Sequence, residues 1–509
     1  MMPKSIILTT LNARFIHSAF GLRYLKANLG DYGDQCEIIE YTIDSRVEDI
    51  AEQLLSRKPK YIGFGVYIWN VVQTEKLIAL IKAIAPDVVV ILGGPEVSYE
   101  QEEQTIIGLA DYVISGWGES SFAELIDQLE RGQVEQKFIV GKQPKLDQIR
   151  MPYAFYSDDD IRNRVIYVEA SRGCPFKCEF CLSALDKTAW PFNLDEFLEH
   201  MDVLYQRGAR HFKFVDRTFN LKVKNSLRIM EFFLERLSDD LFLHFEVVPD
   251  HLPEALKEMI QRFPKGVLQF EIGIQTFNPD VQQAISRRQD NDKAKQNLKW
   301  IREHSNAYIH ADLIFGLPGE SIASFADSFN TLVALRPHEV QVGILKRLKG
   351  SPIIRHTDEF SLVFNPNPPY SIVSSKEVTF SDVQRINRFA RYWDMVANSG
   401  RFSHILPLLF AQYSELDRLY ERFSIVSESM FRRTSQTHKI SLIRLYDLLY
   451  DILVEDLDEN PVQVRQAIEL DYARSGLKSM PKVLQVNQGQ KPLHSSSRKA
   501  YKARQSRRL

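Results

Sequence analysis

Between residues 5 and 115, short apolar runs recur at intervals that leave room for one helix between each pair. The runs 5–8 (SIIL), 36–41 (CEIIEY), 61–66 (YIGFGV), 88–92 (VVVIL) and 111–115 (DYVIS) read as strands buried on both faces. The stretches 21–29, 47–55, 74–85 and 119–129 carry apolar residues at helical spacing. Buried strands that each lead into a helix predict a doubly wound parallel sheet over residues 1–140. The ligand site of such a sheet lies beyond the carboxyl ends of its strands.

Residues 141–163, with MPYAFYSDDD at their centre, are polar and read as a linker. A second alternating series follows, with strands expected at 165–169, 211–215, 243–247, 268–274, 310–315 and 339–345. Six strand–helix units over residues 164–355 predict a curved parallel sheet, a partial or full barrel with its active site at the strand carboxyl ends. Beyond that the strand signal fades, and 356–477 reads as a mainly helical accessory region. Residues 383–397 and 441–453 show the clearest helical spacing, the latter with Leu442, Leu445, Leu449 and Ile452 on one face. The stretch 389–402 is rich in aromatic and arginine residues. It is either a helix with a buried face that ends at Gly400, or a lid that carries substrate contacts. The tail, 478–509, is basic and expected to be disordered; a solvated tail is the simpler reading than one that touches an RNA backbone. The expected fold class is α/β, with the doubly wound sheet first, a partial (β/α)6 barrel in the centre and a helical C-terminal region.

Composition narrows the function classes. Formal net charge is −2, so no global field draws nucleic acid or a membrane surface, and a nucleic-acid partner is disfavoured. No apolar run approaches the ~18 residues of a spanning helix. The first residues show no cleavable signal pattern, so the expected compartment is the cytoplasm. Four cysteines are too few for a secreted disulfide framework. Three of them fall within eight positions, and in a reducing compartment those thiols need a use.

The three lie in Ser171-Arg-Gly-Cys174-Pro-Phe-Lys-Cys178-Glu-Phe-Cys181, just after the first expected barrel strand. Iron–sulfur clusters normally take four thiolates. Three thiolates on one tight loop hold three irons of a 4Fe–4S cubane and leave the fourth open to a bidentate ligand, such as an amino acid's amine and carboxylate. A zinc site or a fortuitous cluster are the plainer readings. A structural zinc wants four ligands at paired spacings, and the remaining cysteine, Cys36, falls in the other predicted domain.

This segment, with Phe180 before the last cysteine, resembles the radical S-adenosylmethionine (SAM) superfamily over roughly residues 160–350. Glu271-Ile-Gly-Ile-Gln275-Thr276 is similar to that family's fourth-strand motif. Asp312-Leu-Ile-Phe-Gly316-Leu-Pro-Gly319-Glu320 is similar to its fifth, and Lys349-Gly-Ser-Pro352 to the turn after the sixth strand. The resemblance implies a 4Fe–4S cluster on Cys174, Cys178 and Cys181, with SAM near Phe180, Gln275, Gly316 and Gly319. It also implies an electron donor such as flavodoxin or ferredoxin, and a 5′-deoxyadenosyl radical that takes a hydrogen from substrate. The chemistry is the cofactors', and the protein positions them. The family's Gly-Gly-Glu run after the second strand is absent. Asp216 stands there instead, either as an acceptor for SAM's ammonium or as a cap on the next helix.

In the first domain, Gly93-Gly94 ends the fourth expected strand and Gly116-Trp-Gly118-Glu119 the fifth. Such glycines make tight turns or let a ligand approach the backbone. The absence of G-x-G-x-x-G after the first strand disfavours a dinucleotide. Placed before a radical SAM domain, the segment resembles a cobalamin-binding domain, with Gly93, Gly94, Gly116, Gly118 and Glu119 as the matching positions. The usual Asp-x-His-x-x-Gly loop is not present. The loop that begins at Asn12 carries His17 near the right place, with no aspartate before it. A loop or substrate contact is expected of His17 in preference to cobalt ligation, and the strand ends of the two sheets are expected to face each other.

The resemblance implies a cobalamin-dependent radical SAM methyltransferase that acts on an unactivated carbon of a small-molecule substrate. A cobalamin-binding cyclase or rearrangement enzyme is the first alternative, and an RNA-binding protein with a structural cluster the second. No individual catalytic residue is expected from the pattern.

Overall fold

A computed structural model describes residues 5–410 and 418–485. The chain divides into two compact units. Among the described residues, the first holds 5–246, 346–355 and 364–371, and the second holds 247–345, 356–363, 372–410 and 418–485.

The first unit opens with β1 (Ile6–Asn12), α1 (Phe20–Ala27), β2 (Cys36–Thr42), α2 (Val47–Leu55), β3 (Tyr61–Gly65), α3 (Val71–Ile84), β4 (Val89–Gly93), α4 (Thr105–Leu109), β5 (Tyr112–Gly116), α5 (Glu119–Glu130) and β6 (Phe138–Gly141). The strands form one sheet in the order β2-β1-β3-β4-β5-β6, and every pairing is parallel. All seven residues of β1 are buried, as expected of a central strand covered on both faces. One core joins Ile7, Ile62 and Val90 to α2 and α3, and the other joins Leu8, Ile91 and Ile114 to α1 and α5. The strand order reverses between β1 and β3, so their carboxyl ends mark the place for a ligand.

Two details depart from the expected layout. The sheet has a sixth strand, β6, whose Phe138 and Val140 are 46% and 80% exposed. Its apolar run is only three residues long, Phe138 to Val140, too short to set it apart from a loop. Residues 141–163 are also more than a linker. They contain α6 (Asp158–Asn163), opened by a capping box between Ser157 and Asp160. Tyr153 and Tyr156 are buried, and their hydroxyls bond to the backbone of Glu169 and Tyr167.

The first unit continues with β7 (Ile166–Val168), β8 (Ser171–Arg172), β9 (Trp190–Pro191), α7 (Leu194–Gln206), β10 (His211–Phe214), α8 (Val223–Leu234) and β11 (Phe242–Glu246). Strands β7, β10 and β11 pair in parallel, while β8 and β9 form a short antiparallel pair. The returning segments 346–355 and 364–371 clasp the loop after β4. Arg347 Nη2 bonds Glu100 at 2.5 Å, and the Tyr370 hydroxyl donates to Glu96 at 2.6 Å.

The second unit holds α9 (Glu254–Gln261), β12 (Leu268–Gln275), α10 (Pro279–Ala284), α11 (Asn291–His304), β13 (Tyr308–Phe315), α12 (Ile322–Ala334) and β14 (Glu339–Ile344). Strands β12, β13 and β14 are parallel. The helical region follows as α13 (Phe380–Val396), α14 (Ile405–Phe410), α15 (Leu419–Thr434), α16 (Leu442–Asp451) and α17 (Pro461–Ala473). Phe389 and Trp393 of α13 are buried against Phe329 and Phe423, so this helix packs a buried face as an ordinary core helix does. Just beyond α13, the Asn398 carboxamide donates to the Val340 carbonyl at 2.8 Å and accepts its N–H at 3.1 Å. One side chain thus satisfies both backbone groups of a β14 residue. Of the expected tail, 482–485 forms a helical turn; residues 486–509 lie outside the described residues.

Candidate cofactor site

Beyond the carboxyl ends of β3, β4 and β5 lies a cavity of about 260 Å³, walled by Gly65, Gly93, Gly94, Gly116, Gly118 and Glu119. Gly94 sits at φ +109°, and a Cβ there would lie 2.5 Å from the Val66 carbonyl oxygen. That position demands glycine for backbone reasons. At Gly93 a Cβ would meet nothing closer than 3.8 Å, so here the bare backbone faces open cavity. Glycine, Leu22, Ile91, Ile114 and Phe122 make much of the wall apolar, as suits an apolar part of a ligand.

One further wall residue comes from the barrel strands' side of the first unit. Arg172 lines the same cavity, two residues before Cys174. Its Nη1 lies 2.5 Å from Glu119, and its Nε and Nη2 bond Glu169 at 2.8 and 2.7 Å. The rings of Tyr24, Trp117 and Phe192 lie 4.5, 5.3 and 5.6 Å from its guanidinium carbon. Burial opposes the charge, but Glu169 and Glu119 outweigh it and raise the pKa above the usual arginine range. Sequence reasoning missed this residue. Its spacing before the first cysteine is visible, whereas its partner 53 positions upstream is not.

The cysteine loop is closed at its base by the β8–β9 pair, with Arg172 opposite Trp190. Gly173 takes φ +86°, and a Cβ there would lie 2.7 Å from the Thr188 hydroxyl. The Cys174 N–H donates to Asp186 O at 2.8 Å, and the Cys181 N–H to Cys178 O at 3.1 Å. All four cysteines are thiols, Cys178 buried and Cys174 and Cys181 partly so. Among the described residues no group of three His, Cys, Asp or Glu side chains is drawn together around a metal position. The donor set nevertheless suits an iron–sulfur cluster, since three unoxidised thiols share one short loop. Burial pushes the Cys174 thiol up, and the neighbouring Cys181 and Cys178 add to the rise. Phe180 is half-buried beside them. Glu179, between the second and third cysteines, is buried, pairs with Arg355 and accepts the Ile353 N–H through its carbonyl at 3.0 Å.

Asp216 does not take the second of its expected places, the cap on the next helix. Its carboxylate accepts the Ala170 N–H at 3.0 Å and the Ser171 hydroxyl at 2.6 Å. Burial pushes its pKa up to about 7, against those two hydrogen bonds. Helix α8 starts seven residues later with Lys222 at its cap position, so Asp216 does not cap it. It braces the junction from which the cysteine loop departs. Asn12 and His17 do not line the glycine-walled cavity. Asn12 donates to the His17 carbonyl at 2.9 Å and to Glu40 at 2.7 Å. His17 Nδ1 meets the Tyr167 hydroxyl at 2.7 Å.

In the second unit, Gln275 takes φ +69° at a register shift in β12. Its Oε1 is buried with no hydrogen-bond partner, which leaves one acceptor open to a ligand. Gly316 and Gly319, at φ +89° and +77°, lie under Ile372 and Phe360, where a Cβ would come within 2.6 and 3.1 Å. Next to them Glu320 is fully buried, and Thr276 donates to it at 2.8 Å. On β13, His310 lies between Glu339 at 3.1 Å and Asp312 at 3.0 Å. Burial opposes its charge, but those hydrogen bonds outweigh it and push its pKa up to about 10.

Comparison with known families decides what these parts belong to. Residues 6–126 match the B12 binding domain family, and residues 168–332 match the radical SAM superfamily. The chain is a radical SAM enzyme with a B12-binding domain. Its cofactors are those of the two domains: cobalamin, SAM and a 4Fe–4S cluster. Residues 358–508 match a third family, described only as a protein of unknown function, DUF4080. Among curated relatives, "Uncharacterized methyltransferase PH0819" of Pyrococcus horikoshii is 26% identical, over 59% of this chain and 70% of its own length. "Cobalamin-dependent radical SAM methyltransferase TokK" of Streptomyces tokunonensis is 23% identical, over 80% of this chain and 63% of its own. Among solved structures, the cobalamin-dependent SAM radical enzyme OxsB with aqua-cobalamin bound is similar at a TM-score of 0.61. It is 13% identical, over 92% of this chain and 84% of that one, a likeness of fold. No helix among the described residues of the enzyme is long and apolar enough to cross a membrane.

Proposed function

We propose that this enzyme is a cobalamin-dependent methyltransferase that methylates an unactivated carbon of a small molecule. The observation that carries the reading is the place of Arg172, which stands at the base of the cysteine loop and forms part of the wall of the glycine-lined cavity. The two cofactor regions therefore meet within one unit, as expected if both act on one substrate. Relatives named as methyltransferases support the choice of reaction, and nothing in the molecule favours the cyclase or rearrangement reading over it.

In this reading Cys174, Cys178 and Cys181 hold the cluster, and Phe180 packs beside it. Gly93, Gly94, Gly116, Gly118 and Glu119 form the cobalamin slot. Gln275 offers its open acceptor to SAM, and Gly316 and Gly319 keep the neighbouring turn tight. When bound, the cluster supplies the electron that cleaves SAM, and cobalamin carries the methyl group. The chain's own work is positioning. Asp216 fixes Ala170 and Ser171, and the β8–β9 pair clamps the ends of the loop. Glu179 is held through Arg355, and Asn12 and His17 brace the loop after β1. The electron donor is a small redox protein of the flavodoxin or ferredoxin kind, and the reducing cytoplasm suits the cluster.

The test is anaerobic reconstitution with iron, sulfide and cobalamin, followed by reaction with SAM deuterated in its methyl group and a reductant in the presence of a metabolite extract. The expected result is 5′-deoxyadenosine together with S-adenosylhomocysteine and a product heavier by one labelled methyl group. 5′-Deoxyadenosine with no label in any product would reject methyl transfer.

A further inference from the structure

We propose that Arg172 is a positioning residue that couples filling of the glycine-walled cavity to the seating of the cysteine loop. The inference rests on the proposal that cobalamin occupies that cavity and a cluster the loop. Arg172 is held from two sides: by Glu169 on the chain segment it belongs to, and by Glu119, the first residue of α5. Its side chain is only 13% exposed. Removing one partner of a buried pair leaves an uncompensated charge, so the strut keeps its geometry. The planar fork is needed for this. Three of its nitrogens serve two carboxylates, which the single ammonium of a lysine does not reproduce.

A group that enters the cavity meets Glu119 and Arg172 together, because both form its wall. The connection to the thiols has little slack. Arg172 is paired across to Trp190. The next residue, Gly173, is pressed against Thr188 and the Ala189 backbone, where a Cβ would come within 2.7 and 2.8 Å. Cys174 follows at once, its N–H tied to Asp186 at 2.8 Å. A shift of the guanidinium is therefore passed to the first cysteine instead of being absorbed by a flexible hinge. By reciprocity, assembly of the cluster fixes the cavity wall and strengthens cofactor binding there.

The experiment titrates hydroxocobalamin into the full-length protein by visible absorbance, once without the cluster and once after reconstitution. Electron paramagnetic resonance (EPR) of the dithionite-reduced cluster is recorded with and without cobalamin. In the wild type, the cluster should tighten cobalamin binding by roughly fivefold or more, the low end of ordinary coupling between sites. Cobalamin should in turn alter the reduced-cluster signal. Arg172→Met should keep wild-type iron and sulfide content yet lose both effects. Glu119→Gln, which breaks the strut from the other side, should weaken both. Wild-type affinity that is the same with and without the cluster overturns the inference, as does coupling of wild-type size in both variants. A wild type that binds no cobalamin at all rejects the reading of the cavity itself, a result distinct from binding without coupling.

Discussion

His17 Nδ1 and the Tyr167 hydroxyl lie 2.7 Å apart, which ties the loop after β1 to the first strand of the barrel series. Burial lowers the His17 pKa, and Lys213 and Arg14 lower it further, so the ring is neutral at pH 7. His17 is not among the residues that wall the glycine-lined cavity, so axial ligation of cobalt is not expected of it. The cob(II)alamin form of the wild-type protein should show an EPR spectrum without nitrogen splitting from this chain, and His17→Phe should leave that spectrum unchanged. The variant should lose about 1 kcal/mol of stability with the hydrogen bond. Nitrogen splitting that vanishes in His17→Phe would reverse the assignment.

The cysteines separate into one loop and one core position. Cys36 is fully buried in the first sheet's core, among Ile6, Leu8 and Tyr61. Cys36→Ala should cost about 1 kcal/mol or more through lost packing, read as a lower melting temperature, and should leave iron content at the wild-type level. Alanine at Cys174, Cys178 or Cys181 should instead abolish the iron–sulfur absorbance and 5′-deoxyadenosine formation. Cluster loss in the Cys36 variant with its fold intact would mean that the ligand set extends beyond the loop.

The adjacent glycines after β4 should respond in opposite ways. Gly94→Ala forces a Cβ to within 2.5 Å of the Val66 oxygen at φ +109°. It should destabilise the protein by about 1–3 kcal/mol, the usual cost of local backbone strain. Gly93→Val places its Cβ in ordinary contact with the Ile114 carbonyl oxygen, at 3.8 Å, and should leave the melting temperature near wild type while it weakens cobalamin binding at least tenfold. Thermal melts and absorbance titrations of the two variants check this. Equal cobalamin affinity in Gly93→Val and the wild type would move the ligand elsewhere.

Burial on both faces makes β1, β3 and β4 legible, because it leaves unbroken apolar runs that need no knowledge of neighbours. Strand β6 offers only three apolar residues, Phe138 to Val140, a run too short to set it apart from a loop. Helix α15 keeps Leu419, Phe423, Val426 and Met430 at helical spacing, a pattern as readable as that of α16. The segment with Tyr153 and Tyr156 looks polar in sequence because its hydroxyls are polar, yet both find backbone partners and the rings are buried. At the site, the cysteine spacing and the glycine pairs are local signals and can be read. The roles of Arg172 and Asp216 depend on Glu119, Ala170 and Ser171, which only the fold brings to them. A carboxylate after a strand invites a ligand or a cap as its partner, and no local pattern distinguishes either from a bond back to an earlier turn.

Glu320 offers a test of the second unit that does not depend on any cofactor. Its side chain is fully buried, Thr276 donates to one oxygen, and the other has no hydrogen-bond partner. Burial pushes its pKa up to about 8, against the Thr276 hydrogen bond. The folded protein therefore keeps a proton on Glu320 that the unfolded chain releases near its ordinary value of 4.5. Where the folded state binds more protons, stability falls as pH rises. The penalty is absent below pH 4.5, grows between the two pKa values and is complete above about 8. Across that window the loss amounts to about 1.4 kcal/mol for every pH unit. Glu320→Gln keeps the carbonyl that accepts from Thr276 and removes the titration. Relative to the wild type, it should gain roughly 5 kcal/mol between about pH 4.5 and pH 9, with no further gain above that. Paired thermal or urea melts across this range check it. A stability difference that stays flat with pH would show that Glu320 titrates in the folded protein as it does in the unfolded chain.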